Sequence, residues 1–79
     1  MITSKEDIEF IKKFGTHLRC LRTAKGLSME RLAELSDLDY SQISKIERGV
    51  TNTTIRTINK LAKGLEVSSM KLFEFDIEE

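Results

Sequence analysis

The sequence contains no proline and no tryptophan, only one cysteine and only four glycines. Without proline nothing locks φ or removes a backbone donor, and with glycine scarce, long stretches are free to be helical. A lone thiol, Cys20, cannot build an internal disulfide framework, so a reducing cytoplasm is the expected setting. No apolar run is longer than three residues, so neither a membrane span nor a signal peptide is expected. Net charge is absent too, with 13 Lys and Arg against 13 Asp and Glu, which argues against a non-specific nucleoid binder.

What is present suits one small folded unit. The 79 residues are 39% hydrophobic and 33% charged, too apolar for a disordered chain and too charged for a membrane protein. A chain of this length buries about 60% of its unfolded surface, so one domain with a small core is expected, without an appended effector domain. Its core is placed at about residues 6–75, with an acidic tail over 76–79. The charges are sorted along the chain. Residues 40–64 carry Lys45, Arg48, Arg56, Lys60 and Lys63 against Glu47, whereas residues 65–79 carry Lys71 against Glu66, Glu74, Asp76, Glu78 and Glu79. A basic middle can dock a polyanion although the total is zero; the alternative is a set of ordinary solvated helix faces.

The hydrophobic spacing predicts an all-α protein of five helices joined by short turns. The first runs from about Glu6 to Lys25, capped by Ser4, with Ile8, Ile11, Phe14, Leu18 and Leu21 as its apolar stripe. Gly15 beside that stripe lets another helix approach, and Gly26 stops the helix. Ser28 caps a second helix from Met29 to about Leu35, and Asp39 with Gln42 forms a capping box for a third from Tyr40 to about Arg48, ended by Gly49. Thr54 caps a fourth helix, which is expected to bury Ile55, Ile58, Leu61 and Ala62 and to stop near Gly64. Ser68 caps a short fifth. Leu27 with Leu32, Leu38 with Ile43, and Val67 with Leu72 are spaced as hydrophobic staples that set the angle of helix entry.

Only Ser36, Asp37 and Leu38 separate the second helix from the third, the spacing of a helix-turn-helix. On the third helix Ile43, Ile46 and Glu47 are expected to face inward. Tyr40, Ser41, Ser44, Lys45 and Arg48 face outward, and nearly all of these side chains can hydrogen-bond a base edge or a phosphate.

Leu18-Arg19, Arg22, Lys25-Gly26-Leu27-Ser28, Leu32-Ala33 and the run Ile43-Ser44-Lys45-Ile46-Glu47-Arg48-Gly49 resemble the Cro/CI-type (Xre) helix-turn-helix family. Ile55, Leu61-Ala62, Leu65, Val67-Ser68 and Leu72-Phe73 continue the resemblance, which covers about residues 10–75. It implies a five-helix, lambda-repressor-like DNA-binding domain, usually a homodimer on a palindromic operator. Small members resemble phage repressors, antitoxins and restriction–modification controller proteins. The resemblance places Tyr40, Ser41 and Lys45, with Ser44 between them, at base-reading positions. Tyr40 has an alternative role as an aromatic packed on the adjacent turn. The resemblance also implies a partly buried salt bridge between Arg22 and Glu47, the alternative being two separate surface charges. Two positions depart from the family pattern: Met29 stands where glutamine is common, and Asp37 where glycine is common.

Phosphate contacts are expected from Ser28, the Met29 N–H, Arg48, Asn52, Thr53, Thr54 and Arg56, because helix N-termini offer unpaired N–H groups to anions. Thr53 and Thr54 are alternatively caps, and Arg56 a solvated residue. His17 and Cys20, three residues apart, are expected at the surface; without a second pair of ligands they make no metal site. No cofactor is expected, and without a phosphate loop or a paired-acid pocket neither is catalysis. Phe73, Phe75 and Ile77 are expected to form a dimer interface or, alternatively, to pack back on the same chain. The leading expectation is a sequence-specific transcriptional regulator, a homodimer on operator DNA. The alternative is an antitoxin-like module that masks a partner protein.

Overall fold

The computed structural model describes residues 4–75; Ile77 and the acidic tail lie outside them. Four α-helices, α1 (Lys5–Ala24), α2 (Met29–Ser36), α3 (Tyr40–Arg48) and α4 (Ile55–Leu65), are followed by a 3₁₀-helix, Ser69–Phe73. The five expected elements are present, but the fifth is 3₁₀ rather than α. Five residues give too short a run to reward the wider turn. No described helix is long and apolar enough to cross a membrane.

Local chemistry sets each boundary. Ser4 Oγ accepts the Asp7 N–H at 3.0 Å, Ser28 Oγ the Arg31 N–H at 3.0 Å and Thr54 Oγ1 the Thr57 N–H at 3.2 Å. At α3 the Gln42 carbonyl accepts the Asp39 N–H at 3.1 Å, one half of the capping box. These bonds satisfy amides that have no partner within their own helix.

All four helices end in one way. A residue with positive φ closes the last turn: Gly26 (71°), Asp37 (57°), Gly49 (73°) and Glu66 (60°). The next N–H then reaches back to the carbonyl five residues earlier, from Leu27 to Arg22, Leu38 to Ala33, Val50 to Lys45 and Val67 to Ala62. This is the Schellman arrangement, and Leu27, Leu38 and Val67 each serve it while sitting just before the next helix cap. Two corners place a side-chain-bearing residue where glycine is the low-cost choice.

The core consists of Phe14, Leu18, Leu32, Ala33, Ile43, Ile46, Leu61, Ala62, Leu65 and Leu72. α1 packs on α3 and the 3₁₀-helix, and α2 packs on α3 and α4. Gly15 makes the first packing possible: a methyl there would overlap the Ile46 carbonyl oxygen and lie 2.7 Å from that of Glu47. Gly64 plays the matching part between α4 and α2. α4 ends at Leu65, near Gly64 as expected, and Gly64 itself lies in its last turn against the Ser36 side chain. Ser36 Oγ is buried without a hydrogen-bond partner.

Periodicity misplaced two residues. Ile55 is 86% exposed and Ile8 is also exposed. Both continue an apolar stripe, but both stand in the first turn of their helices, and α4 reaches its neighbours only from Thr57 and Ile58 onward. His17 departs in the other direction. It is half-buried, with Nε2 2.8 Å from the Lys71 carbonyl and its ring 5.6 Å from Phe75. Cys20 is exposed.

Ser36→Ala removes a buried hydroxyl that has no partner and is expected to raise stability by about 1 kcal/mol. Gly64→Ala is expected to cost about 1–3 kcal/mol by overpacking, less when Ser36 is already alanine. Urea denaturation of the two single variants and the double variant checks both values.

Candidate nucleic-acid interface

The outward side of α3 is built by the same nine residues that anchor it. Ile43, Ile46 and Glu47 are buried, while Tyr40, Ser41, Lys45 and Arg48 are exposed and Ser44 is half-buried. The amphipathic period thus separates packing from presentation. Arg48 Nε donates to Ser44 Oγ at 3.2 Å across one turn. Ser44 is therefore engaged along the helix surface, and Arg48 is drawn back over it with its terminal nitrogens still to use.

Glu47 holds this helix in place. Its side chain is only 1% exposed, and that of Arg22 on α1 is 12% exposed. Arg22 Nε donates to one carboxylate oxygen at 2.6 Å and Nη2 to the other at 3.0 Å, a two-bond fork. Arg22 Nη1 donates to the Leu27 carbonyl at 2.8 Å. The hydrogen bond to Glu47 raises the Arg22 pKa above its ordinary value, against the lowering effect of burial. The stabilising charge is therefore present at every pH below the ordinary arginine range, and the arginine brings no pH dependence near neutrality.

Arg19 was not anticipated. Its Nε lies 3.4 Å from Glu47, but the side chain is 56% exposed, so it is a weak second partner. Its place one helical turn before Arg22 is the sequence signal that would have found it.

Around this anchor the expected site residues gather in two groups. Glu30 in the first turn of α2 is a carboxylate that favours the charged form of Arg22, and Tyr40 opens α3. Ser28 is exposed and caps α2, while Met29 is half-buried against the core. The Met29 side chain thus fills space rather than bracing α3 through a hydrogen bond. On the other side, Gln42, Lys45 and Ile46 share a cleft of about 210 Å³ with Thr51, Asn52, Thr53, Thr54 and Thr57. Within it Asn52 Oδ1 accepts the Thr53 N–H at 3.0 Å, which leaves the Asn52 amide NH₂ for an outside acceptor. Thr54 caps α4, and Arg56 is exposed beside it.

Residues 18–72 match the helix-turn-helix family HTH_3. This chain belongs to that family. It is 40% identical over 63 residues to the control protein C.BamHI of Bacillus amyloliquefaciens, a match spanning 78% of each chain. It is 41% identical over 61 residues to the transcriptional regulator SlrR of Bacillus subtilis, covering 76% of this chain and 40% of the relative. Among solved structures it is similar to the restriction–modification controller protein C.AhdI of Aeromonas hydrophila, with a TM-score of 0.78 and 51% identity over 80% of this chain and 96% of the other. The family is one of DNA-binding regulators, not of enzymes.

Truncating Glu47 to alanine strands a nearly buried guanidinium and is expected to cost about 3–5 kcal/mol, a large share of the stability of so small a domain. A double-mutant cycle of Arg22→Ala and Glu47→Ala by thermal denaturation is expected to show coupling of about 2–3 kcal/mol, whereas additivity would mean the fork contributes nothing.

Proposed function

We propose that this DNA-binding transcriptional regulator reads a palindromic operator as a cytoplasmic homodimer, one α3 in each of two successive major grooves. The observation that carries the reading is the division of α3. Three buried residues fix it to α1 and the core, and its opposite side offers hydroxyl, amino and guanidinium groups to the outside.

Tyr40, Ser41, Ser44 and Lys45 face base edges in this arrangement. Lys45 meets guanine O6 or N7 as a point donor, with less geometric discrimination than an arginine fork. Phosphates are held on both flanks. Ser28 and the Met29 N–H grip from the start of α2, and Arg48, Asn52, Thr53, Thr54 and Arg56 from the end of α3 and the start of α4. Amides at the two helix starts point at the backbone with the positive end of the helix dipole behind them. A two-fold axis sets the two recognition helices about 34 Å apart, one turn of DNA.

Fluorescence anisotropy tests the reading. DNA from immediately upstream of the gene is compared with a scrambled duplex of equal length at several salt concentrations. A preference of about a thousandfold for the upstream DNA is expected. Lys45→Ala is expected to lose about 1–3 kcal/mol of that preference, while Arg56→Ala weakens both probes alike and lowers the salt slope by nearly one. Equal and weak binding to both probes overturns the operator reading and directs the search to a protein partner.

A further inference from the structure

The oxygens on the outward side of α3 and in the cleft beside it are engaged from within the chain. Ser44 Oγ accepts the Arg48 Nε–H at 3.2 Å, and Gln42 Oε1 accepts the Asp39 N–H at 3.1 Å. Across the cleft Asn52 Oδ1 accepts the Thr53 N–H at 3.0 Å. Glu47, the one carboxylate of α3, is buried in the Arg22 fork. Asp39 is exposed, but it is the N-cap and stands ahead of the first turn. The hydrogens remain on offer. A backbone N–H can be met only by an amide oxygen, so Gln42 and Asn52 are fixed with their NH₂ groups to spare. A serine hydroxyl is ordinarily donor or acceptor, but with a guanidinium donating to its oxygen, the Ser44 O–H is turned away and polarised as a donor. Lys45 and the Arg48 terminal nitrogens have no acceptor capacity at all.

We infer that the outward side of α3 from Gln42 to Arg48 presents hydrogen-bond donors alone, and therefore selects guanine, through N7 and O6, over any base that offers an amino group. This rests on the operator reading above and names the bases that such an operator must carry. In the major groove guanine shows two neighbouring acceptors, whereas adenine sets an amino donor beside its N7 and cytosine shows only an amino donor. A donor-only surface pairs fully with guanine. Set against an amino group it leaves donors facing each other, removed from water and unpaired. The usual amide reading of adenine is closed for the same reason. It needs the oxygen and nitrogen of one amide turned to the base together, and the Gln42 oxygen is held to the start of its own helix.

The selectivity belongs to the later turns of the helix. Tyr40 and Ser41, in the first turn, carry exposed side chains whose hydroxyls can turn either way. Arg48 acts on the bases through Ser44. Its Nε sets the direction of that hydroxyl, while its terminal nitrogens remain for a phosphate. It is thus a positioning residue for base choice as well as a phosphate contact.

Fluorescence anisotropy with base analogues tests the inference on the parent chain and its variants. In the upstream duplex each guanine is replaced in turn by its 7-deaza analogue, which lacks N7, and each adenine by unsubstituted purine, which lacks the amino group. At one guanine or more the 7-deaza duplex is expected to bind about tenfold more weakly. Lys45→Ala or Ser44→Ala should abolish that difference while the circular dichroism stays unchanged. Arg48→Ala should shrink severalfold any difference that depends on Ser44, which loss of a phosphate contact alone would not do. An unchanged difference in Arg48→Ala overturns its positioning part. An upstream duplex bound tightly with no guanine sensitive in this way overturns the inference and leaves the operator reading standing. So does an adenine whose amino group strengthens binding by the parent but not by Ser44→Ala or by Gln42→Glu, which keeps the cap oxygen and loses the NH₂. Equal and weak binding of upstream and scrambled DNA overturns both.

Discussion

A carboxylate removed from water is costly unless its charge is matched, and Glu47 is matched by one guanidinium held in a fork. That guanidinium is itself fixed by the Leu27 carbonyl at the corner between α1 and α2. One polar cluster therefore ties together three parts of the chain that hydrophobic burial alone would leave free to slide. Apolar contact is non-directional; the fork admits a single orientation of α3 about its own axis. The outward side chains of α3 inherit that orientation. Gly15 is the steric condition for it, because only a bare backbone position lets α1 come close enough to α3 for Arg22 to reach Glu47.

The remaining polar contacts act at the surface and do different work. The Lys60 ammonium lies 3.6 Å from the Asp37 carboxylate and also meets the Asp37 carbonyl at 3.3 Å, at the corner where α2 ends. Asp37 is almost fully solvated, so the ion pair adds little stability. The bond to the carbonyl instead caps the negative end of α2 with a cation. His17 joins α1 to the Lys71 carbonyl, so the 3₁₀-helix is held by a directional bond as well as by Leu72 in the core.

Most of the fold was legible because its boundaries are coded locally. Ser4, Ser28 and Thr54 cap from their own side chains, Gln42 reaches back to the Asp39 N–H, and Leu27, Leu38 and Val67 each precede a cap by one residue. Such signals need no knowledge of tertiary contacts. Residues whose fate depends on distant neighbours were harder to read. Ile55 has the right period for the core but stands where α4 has not yet reached a partner. Gly64 marks the end of α4 to within one residue, but its part as a contact point is hidden, since only the position of α2 reveals why a side chain is excluded. His17 looks solvated on the helical wheel until the C-terminal segment crosses it. For the candidate site, the division of α3 followed from periodicity, and the family resemblance supplied Arg22 as the partner of Glu47. The bond between Ser44 and Arg48, the engaged N–H of Thr53 and the approach of Arg19 depend on side-chain rotamers that spacing does not encode.

The three corners Gly26-Leu27-Ser28, Asp37-Leu38-Asp39 and Glu66-Val67-Ser68 share one grammar: a left-handed residue, an aliphatic residue and a helix cap. Each reverses the chain within three residues, so little loop entropy opposes bringing neighbouring helices together. The search for the native arrangement is thereby narrowed to choices made near each corner, the topology that favours rapid folding. A chain assembled this way recovers its shape quickly after unfolding, whether or not DNA is present to guide it.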